Sequence, residues 1–472
     1  MDEKFYEILS QFRPCFSRRA TYYWFLLIMI GLVVRSDHFG VTSFIRWLSL
    51  APENYWPMLH FFVSSGWTLQ GVLLCWWIYC LQESSCFKVQ GRAVMLGDHT
   101  NQPKDGRKMP GMVTIHQDSE TSSKPGYFRG HVFGFIAILM QRFNKGFAVP
   151  LWGELNMESR NEKDSNNMTT RIVSNTITIA LKLNCPAYLV LDAFFAVGPV
   201  FLKALGVYSI ATKEVMVHII TRAKKNIVAY KDPPPKPPGK KGPNKKYGEK
   251  LKLINLFENA KDDFVQVNCF VYDHFELVKL LCIDLLWKPA KGKIRFVLAI
   301  TSRGPIILMS SDLNLSPTII LELYCKRSLI EGMFNILKNL IGGLAYHFWS
   351  KTIDKTSRRP KRNSEAVAPK QESHLIAVKN KIRSIEMFVN MSSILVGIPQ
   401  ILALNFPEVV WKENTRWLRT YSNAIPSEYI VKGVISRTIL LKLFKGNAIH
   451  EIYNLLCAKQ TANHPEELDV PA

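Results

Sequence analysis

The sequence lacks the spacings of cysteine and histidine that bind zinc, since it contains no Cys-x-x-Cys pair. Its nine cysteines are scattered, and an odd number of thiols in a long chain is typical of a reducing cytoplasm. Two apolar runs, Tyr22 to Val34 and Trp67 to Cys80, are shorter than the roughly 20 residues that a membrane-spanning helix needs. No small-residue cleavage site follows the first run, which argues against a signal peptide. We therefore predict buried helices in these two runs and no membrane partner.

Acidic residues are scarce relative to basic ones. The chain has 60 lysines and arginines against 38 aspartates and glutamates, which gives a net charge of +22. An excess of this size indicates an anionic partner, and the phosphate backbone of a nucleic acid is the usual one. A generally basic soluble protein and a membrane-surface binder are the alternatives that charge alone leaves open.

The chain of 472 residues is long enough for two to four structural units. Its aromatic-rich first 90 residues predict buried helices, whereas runs typical of strands begin at Arg92. Strands that first follow one another and then alternate with helices predict a mixed α/β sheet with helices on both faces. The predicted regions are a helical region at 1–90, a first part of the sheet domain at 91–230, a basic Pro/Lys-rich arm and β-rich insertion at 231–300, a second part of the sheet domain at 301–352, a basic linker at 353–372 and a helical region at 373–472.

Two aspartates follow apolar strands at their carboxyl ends. Asp98 comes after Val94 to Gly97, and Asp192 comes after Leu189 to Leu191. Ligands of open α/β sheets collect beyond the carboxyl ends of the strands, so both aspartates are candidate catalytic residues. Either one alone is more commonly a turn former or a helix cap, and each needs support from elsewhere in the chain.

A helix predicted from Pro317 to about Trp349 supplies that support, since proline is well tolerated in a first helical turn. At roughly 100° per residue, several polar residues fall within an arc of about 80° on one helix face. They are Tyr324, Arg327, Glu331, Asn335 and Lys338. A polar stripe of this kind can line a nucleic-acid site. The alternative is that Arg327 and Glu331, four residues apart, form only a surface ion pair.

Three separated carboxylates that converge on one site suit a divalent metal. Mg²⁺ takes hard oxygen ligands, and phosphoryl transfer needs little covalent help from the protein. We therefore expect Asp98, Asp192 and Glu331 to bind metal. Arg327 would hold a backbone phosphate through its bidentate fork, and Lys338 would do so as a point charge.

The spacing Tyr324-x2-Arg327-x3-Glu331-x6-Lys338 is similar to the Tyr-Arg-Glu-Lys signature of a group of bacterial insertion-sequence transposases of the DDE class. The segment Gly97 to Thr100, with Gly106 to Gly111 downstream, resembles the first-aspartate region of such enzymes, and Leu191 to Phe195 resembles the second. The order of helical region, sheet, β-rich insertion and helical tail also fits. The resemblance covers nearly the whole chain.

The resemblance implies a ribonuclease H-like core in which Asp98, Asp192 and Glu331 bind two Mg²⁺ or Mn²⁺ ions. It implies a DNA transposase that cuts double-stranded DNA at transposon ends and joins those ends to target DNA. Such an enzyme acts as a homodimer in a synaptic complex and has no small-molecule substrate. Its localisation would be cytoplasmic and associated with the nucleoid.

The same resemblance implies that Tyr324, Arg327 and Lys338 contact DNA near the cleaved end, and that the helical region at 1–90 binds DNA. Relatives hold a flipped base with an aromatic residue of the insertion, and Trp287 lies in that region. The alternative for Trp287 is a place in the core of the sheet. Two rival functions stay open: a ribonuclease H-like nuclease or resolvase that cuts without joining, and a non-catalytic nucleic-acid or membrane-surface binder.

Other basic residues have weaker signals. Arg107 and Lys108 on a glycine-bounded loop, and the arm from Lys236 to Lys246, could contact phosphates. Solvated loop charges are the ordinary explanation for both. His131, inside a predicted strand, is expected to be a core histidine with its hydrogen bonds satisfied.

Overall fold

The computed structural model describes residues 1–116, 126–156, 167–236, 242–356, 372–418, 424–444 and 451–460. In these residues the chain is a mixed α/β protein with a 13-stranded, mostly antiparallel sheet. The strands are β1 (Lys88–Val89), β2 (Arg92–Pro103), β3 (Val113–His116), β4 (Tyr127–Arg142), β5 (Lys145–Asn156), β6 (Ala187–Leu191), β7 (Val217–Arg222), β8 (Val228–Tyr230), β9 (Lys250–Lys252), β10 (Val265–Val271), β11 (His274–Trp287), β12 (Gly292–Thr301) and β13 (Gly304–Ser310).

Helices precede the sheet, alternate with its strands and follow it. They are α1 (Asp2–Ser10), α2 (Arg19–Val34), α3 (Val41–Trp47), α4 (Tyr55–Phe61), α5 (Leu69–Gln82), α6 (Met168–Leu183), α7 (Gly198–Leu205), α8 (Leu256–Asn259), α9 (Pro317–Cys325), α10 (Leu329–Asn335), α11 (Glu372–Asn405), α12 (Pro407–Glu413), α13 (Glu428–Phe444) and α14 (Glu451–Lys459). Most of the predicted linker, residues 357–371, lies outside the described residues.

The strand order of the sheet is β3-β4-β2-β6-β7-β13-β12-β11-β8-β9, with β5 paired to β4, β10 to β11 and β1 to β2. The pairs β2/β6 and β6/β7 are parallel, whereas β13 pairs antiparallel with β7. The strands predicted as an inserted module therefore belong to the same continuous sheet as β6 and β7.

The chain divides into two compact units. The sheet unit comprises Trp77–Thr100 and Phe133–Gly332, and the helical unit comprises Met1–Trp76, Asn101–Val132 and Met333–Ala472. Each unit has a core of its own, as described below.

The core of the sheet unit is centred on β6, whose five residues are all buried. Helices α6 and α9 both pack against this strand, which explains why it is apolar throughout instead of alternating. Helix α6 begins where Asn167 accepts a hydrogen bond from the backbone N–H of Thr170, and it ends at Asn184 in the left-handed conformation. Both are common helix caps.

The core of the helical unit contains the two longest apolar helices. Helix α2 is buried from Phe25 to Val34, which confirms the prediction of a buried helix there. Among the described residues, α11 is the one helix long and apolar enough to cross a membrane by length and composition, and its apolar window is 100% buried. It packs against α2 and α13.

A buried polar network in the helical unit joins Lys104, His131 and Tyr346. Lys104 Nζ donates to the carbonyls of Leu344 (2.5 Å) and Tyr346 (3.1 Å) and lies 3.7 Å from the centre of the Tyr346 ring. His131 Nε2 is 2.8 Å from the Pro110 carbonyl, so it donates there, and Nδ1 accepts from the Tyr346 hydroxyl at 2.5 Å. The prediction that His131 is a satisfied core histidine is confirmed.

Lys104 makes the stability of the fold depend on pH, because burial lowers its pKa from 10.5 to about 7. Between these values the unfolded chain keeps the proton that the folded protein has lost. Stability is therefore expected to rise with pH above about 7, by at most about 1.4 kcal/mol per pH unit. Urea unfolding of the wild type and Lys104→Met at pH 6, 7, 8 and 9 checks this. The wild type should gain stability relative to the variant as pH rises, and parallel curves would contradict the assignment.

Candidate functional site

Asp98 lies inside β2, which corrects the prediction that the strand ends at Gly97. The pairing of β2 with β6 stops at Leu96, opposite Val190, but β2 itself continues to Pro103. Leu191 and Ile172 pack closely against the backbone of Gly97. A Cβ atom at this position would lie 2.8 Å from a methyl of Leu191 and 2.9 Å from one of Ile172, so the contact needs a glycine. Asp98 thus begins the part of β2 that has separated from β6.

Asp192 directly follows β6, as predicted. Its carboxylate accepts a hydrogen bond from the backbone N–H of Phe194 at 3.0 Å and caps the short 3-10 turn Ala193–Phe195. Its own carbonyl accepts from the hydroxyl of Thr221 on β7 at 2.5 Å. The side chain is therefore a turn former, and the hydrogen bond from the next parallel strand fixes the backbone that carries it.

The helical segment that carries Arg327 and Glu331 begins at Pro317, as predicted, but it is not one regular helix. After α9 the chain forms a 3-10 turn at Lys326–Ser328, continues as α10 and ends in a π-helical segment at Ile336–Ile341. Gly342 ends the segment with φ +66, so it stops before Trp349. Arg327 lies in the 3-10 turn, between two α-helical segments.

Arg327 joins two carboxylates that are far apart in the sequence. Its Nη1 atom is 3.0 Å from Asp98 Oδ2, and its Nη2 atom is 2.6 Å from Glu331 Oε1. The side chains of Arg327 and Asp98 are each 18% exposed, whereas that of Glu331 is 59% exposed. The ion pair between Arg327 and Glu331, which was the alternative to a functional role, is present. Arg327 also pairs with Asp98, so the three residues form one bridge.

The pKa of Asp98 depends on the charges of both other predicted carboxylates, Asp192 and Glu331. The pKa of its carboxyl is raised from 3.8 to about 6, chiefly by burial, and the charges of Asp192 and Glu331 contribute to the rise. The His99 backbone N–H and Arg327 oppose this rise in pKa. Burial alone would lower the pKa of Arg327, but Asp98 and Glu331 outweigh it and raise that pKa.

Tyr324 lies near the same charges. Burial raises the pKa of its hydroxyl, and the positive charges of Arg327 and Arg222 lower it, while Asp192 raises it. Arg222 and Thr221, which end β7, were not among the predicted residues. Their position in the sequence could have predicted them. Strand β7 is the next parallel strand after β6, so its carboxyl end reaches the same edge of the sheet.

Lys338 and Trp287 lie in different surroundings. Lys338 Nζ donates to the carbonyl of Asn101 at 2.9 Å, and burial lowers its pKa. Trp287 is 5% exposed, and its ring packs edge-on against Phe201 with centroids 5.2 Å apart. Trp287 has the packing of a core residue in this conformation, and base binding there stays a prediction.

Glu322, the other acidic residue of this helical segment, has a structural partner. Its Oε1 atom accepts from the backbone N–H of Phe270 on β10 at 3.3 Å. The loop cations also have partners, since Arg107 Nε donates to the Thr356 carbonyl at 2.8 Å and Lys108 Nζ lies 3.5 Å from that of Lys351. Part of the predicted basic arm, residues 237–241, lies outside the described residues.

The carboxylates suit a divalent cation by their chemistry. They offer hard oxygen ligands, and a cation would relieve the repulsion that Asp192 and Glu331 exert on Asp98. Within the described part of the chain, no three histidine, cysteine, aspartate or glutamate side chains are grouped closely enough to hold a metal. Arg327 engages one oxygen each of Asp98 and Glu331, so in this conformation these described side chains pair with a guanidinium and do not form a metal site.

Comparisons with known proteins do not place the chain in a family. No protein-family model matches it, and no curated protein matches it either.

Proposed function

We propose that the protein is a DNA transposase that cuts and joins DNA by metal-dependent phosphoryl transfer. The observation that carries this proposal is the bridge from Asp98 through Arg327 to Glu331, with Asp192 in the same electrostatic environment. A surface ion pair needs only neighbours on one helix. Here a strand and a 3-10 turn supply opposite charges to one site, since Asp98 and Arg327 are 229 positions apart in the chain.

We further propose that the part of the sheet around this site is a ribonuclease H-like core. Strands β5, β4, β2, β6 and β7 lie side by side in that order, and helix α6 precedes β6 in the chain. The first aspartate lies on β2 and the second follows β6. Strands β8 to β13 then occupy the chain between the second aspartate and the helical segment with Glu331, where the resemblance expects an insertion.

The protein's own residues would have distinct parts in the reaction. Asp98, Asp192 and Glu331 would hold the divalent ions, which when bound activate the attacking oxygen and stabilise the leaving one. Arg327 would hold a backbone phosphate with its planar fork. Thr221 donates to the Asp192 carbonyl and would thereby fix the backbone that carries the Asp192 carboxylate.

The proposed partners are double-stranded transposon ends and target DNA. The net charge of +22 favours a polyanion of this kind. Two ends must be brought together before they are joined, which suits a homodimer in a synaptic complex. Association with the nucleoid would follow from DNA binding itself.

The proposal is tested with DNA that carries the sequences flanking the coding region of this protein. The purified full-length protein is expected to nick the element end in the presence of Mg²⁺ or Mn²⁺ and to join a pre-cut end to plasmid DNA. Ca²⁺ and EDTA serve as controls, since neither should support cutting. Cutting without joined product would favour a nuclease or resolvase. Binding with no metal-dependent cutting would favour a non-catalytic binder.

A further inference from the structure

Two thiols of the helical unit lie against each other's segment of the chain. Cys15 ends a 3-10 turn, and Cys75 lies in α5. The Cys15 thiol donates to the carbonyl of Gly71 at 3.5 Å, and the Cys75 thiol donates to the carbonyl of Gln11 at 3.3 Å. Each accepting carbonyl belongs to the residue four positions before the other cysteine, and the chain is helical over both intervals. Because residues four apart lie on one face of a helix, these crossed contacts place the two sulfurs side by side.

Buried aromatic residues fix the two segments relative to each other. Trp76 directly follows Cys75, and its ring stacks on that of Phe12 with centroids 6.3 Å apart. Phe12 and Trp76 are 1% and 0% exposed. The backbone N–H of Ser17 donates to the carbonyl of Gly66, just before α5, at 3.0 Å. The packing therefore holds the backbones of both cysteines in place, and a bond between the sulfurs needs side-chain rotation more than backbone movement.

The two thiols differ in acidity. The pKa of Cys75 is lowered, because the Cys15 thiol can donate a hydrogen bond to the Cys75 thiolate, and this effect outweighs that of burial. The same hydrogen bond raises the pKa of Cys15, and burial adds to that rise. The thiolate is the form of cysteine that attacks peroxides. Both side chains are partly exposed, so a small oxidant can reach Cys75, the more nucleophilic of the two.

We propose that Cys15 and Cys75 form a peroxide-responsive dithiol, a modification site of the helical unit that does not depend on the proposed function. The Cys75 sulfur attacks one oxygen of hydrogen peroxide, the O–O bond breaks, and the other oxygen leaves as water once protonated. The Cys15 sulfur then attacks the Cys75 sulfenic acid, the S–O bond breaks, and a second water leaves. In total the two thiols lose two electrons and two protons to the peroxide, which becomes two waters.

The disulfide would close a loop that contains α2, α3 and α4. A crosslink across so long a loop restricts the unfolded chain and stabilises the folded one. The reduced pair is the resting form in a reducing cytoplasm, where disulfides are usually transient and respond to oxidants. Oxidation therefore marks a change in conditions, and a cellular thiol reverses it.

The experiment treats the full-length protein, without DNA or metal, with a stoichiometric amount of hydrogen peroxide. Remaining thiols are then alkylated, and the protein is digested with chymotrypsin, which can cleave after Trp76 and so separates Cys75 from the later cysteines. We expect the loss of two of the nine thiols and a peptide pair joined through Cys15 and Cys75 that dithiothreitol separates. If these two stayed reduced while the exposed Cys282 or Cys457 was oxidised, the proposal would be overturned.

Three variants, each checked for its fold by circular dichroism, test the order of attack. Cys15→Ser keeps a hydrogen-bond donor but removes the second sulfur, so a sulfenic acid should accumulate on Cys75 and be trapped by dimedone. Cys75→Ser should slow the oxidation of Cys15 by about tenfold or more, because no thiolate is favoured there. Cys282→Ser removes an exposed thiol of β11 and should leave the linked pair unchanged. Oxidation of Cys15 at the wild-type rate in Cys75→Ser would contradict the roles of the two sulfurs.

Discussion

Asp98→Asn is expected to lower the rate of Mg²⁺-dependent cleavage by about 10³-fold, which corresponds to about 4 kcal/mol of transition-state stabilisation. The amide keeps the size of the side chain but loses the charge that a divalent ion requires. Asp192→Asn and Glu331→Gln should have effects of the same order. DNA affinity should stay or rise in all three variants, because each loses a negative charge that repels phosphate. Cleavage of labelled element-end DNA and a filter-binding assay measure the two quantities.

Two controls sharpen this series. Asp262→Asn removes an exposed carboxylate of the sheet unit and should leave cleavage unchanged. Glu322→Gln changes the other acid of the helical segment, which binds the Phe270 backbone, and should cost little activity. If Glu322→Gln abolished cleavage while Glu331→Gln spared it, the third metal ligand would be Glu322 and our assignment would be wrong.

Gly342→Ala is expected to destabilise the helical unit by about 4 kcal/mol, of which about 1 kcal/mol is the cost of a side chain in the left-handed conformation. The remainder is steric. A Cβ atom at Gly342 would collide with the ring of His38 and lie 3.1 Å from Arg35 Nη2. Arg35 cannot yield, since it is 1% exposed and donates to the carbonyls of Gly40, Ile341 and Gly342.

The control for this variant is Gly40→Ala in the same unit. Gly40 also has a positive φ of +65, with ψ −140 where Gly342 has ψ 33, but a Cβ atom there would meet only ordinary contacts at 3.5 and 3.7 Å. Gly40→Ala should therefore lose only a conformational part, about 2 kcal/mol. Denaturant midpoints of the two variants give the difference directly. Equal losses of stability would contradict the steric explanation.

The sequence predicted the local elements of this fold well where the apolar pattern was continuous. The apolar run Ala187 to Leu191 predicts a strand, and it is the whole of β6. The helical spacing of apolar residues from Thr170 to Leu183 predicts a helix, which is α6 with two more residues at its start. The strands of the predicted β-rich insertion join the central sheet, because β12 pairs with β13 and β13 pairs with β7. Strand pairing depends on contacts between residues distant in sequence, and the local periodicity of apolar residues carries no information about these contacts.

The sequence predicted which residues form the candidate site better than it predicted the contacts among them. Spacing along one helix predicted the pair Arg327 and Glu331, because four-apart neighbours follow from helix geometry. It could not predict that Arg327 also binds Asp98, 229 positions away. Nor could it predict a strand that continues past Asp98, since the end of pairing at Leu96 is set by the partner strand and not by β2 itself.

The antiparallel contact between β7 and β13 has a consequence for how this protein can change over evolution. Ile220 lies opposite Ser310 and Arg222 opposite Leu308, so β7 and β13, which precede and follow β8 to β12 in the chain, are neighbouring strands about 5 Å apart. Loops between β8 and β12 can therefore lengthen, shorten or accept a grafted reporter without altering the spacing of Asp192 and Glu331, because closing a longer loop adds little entropic cost.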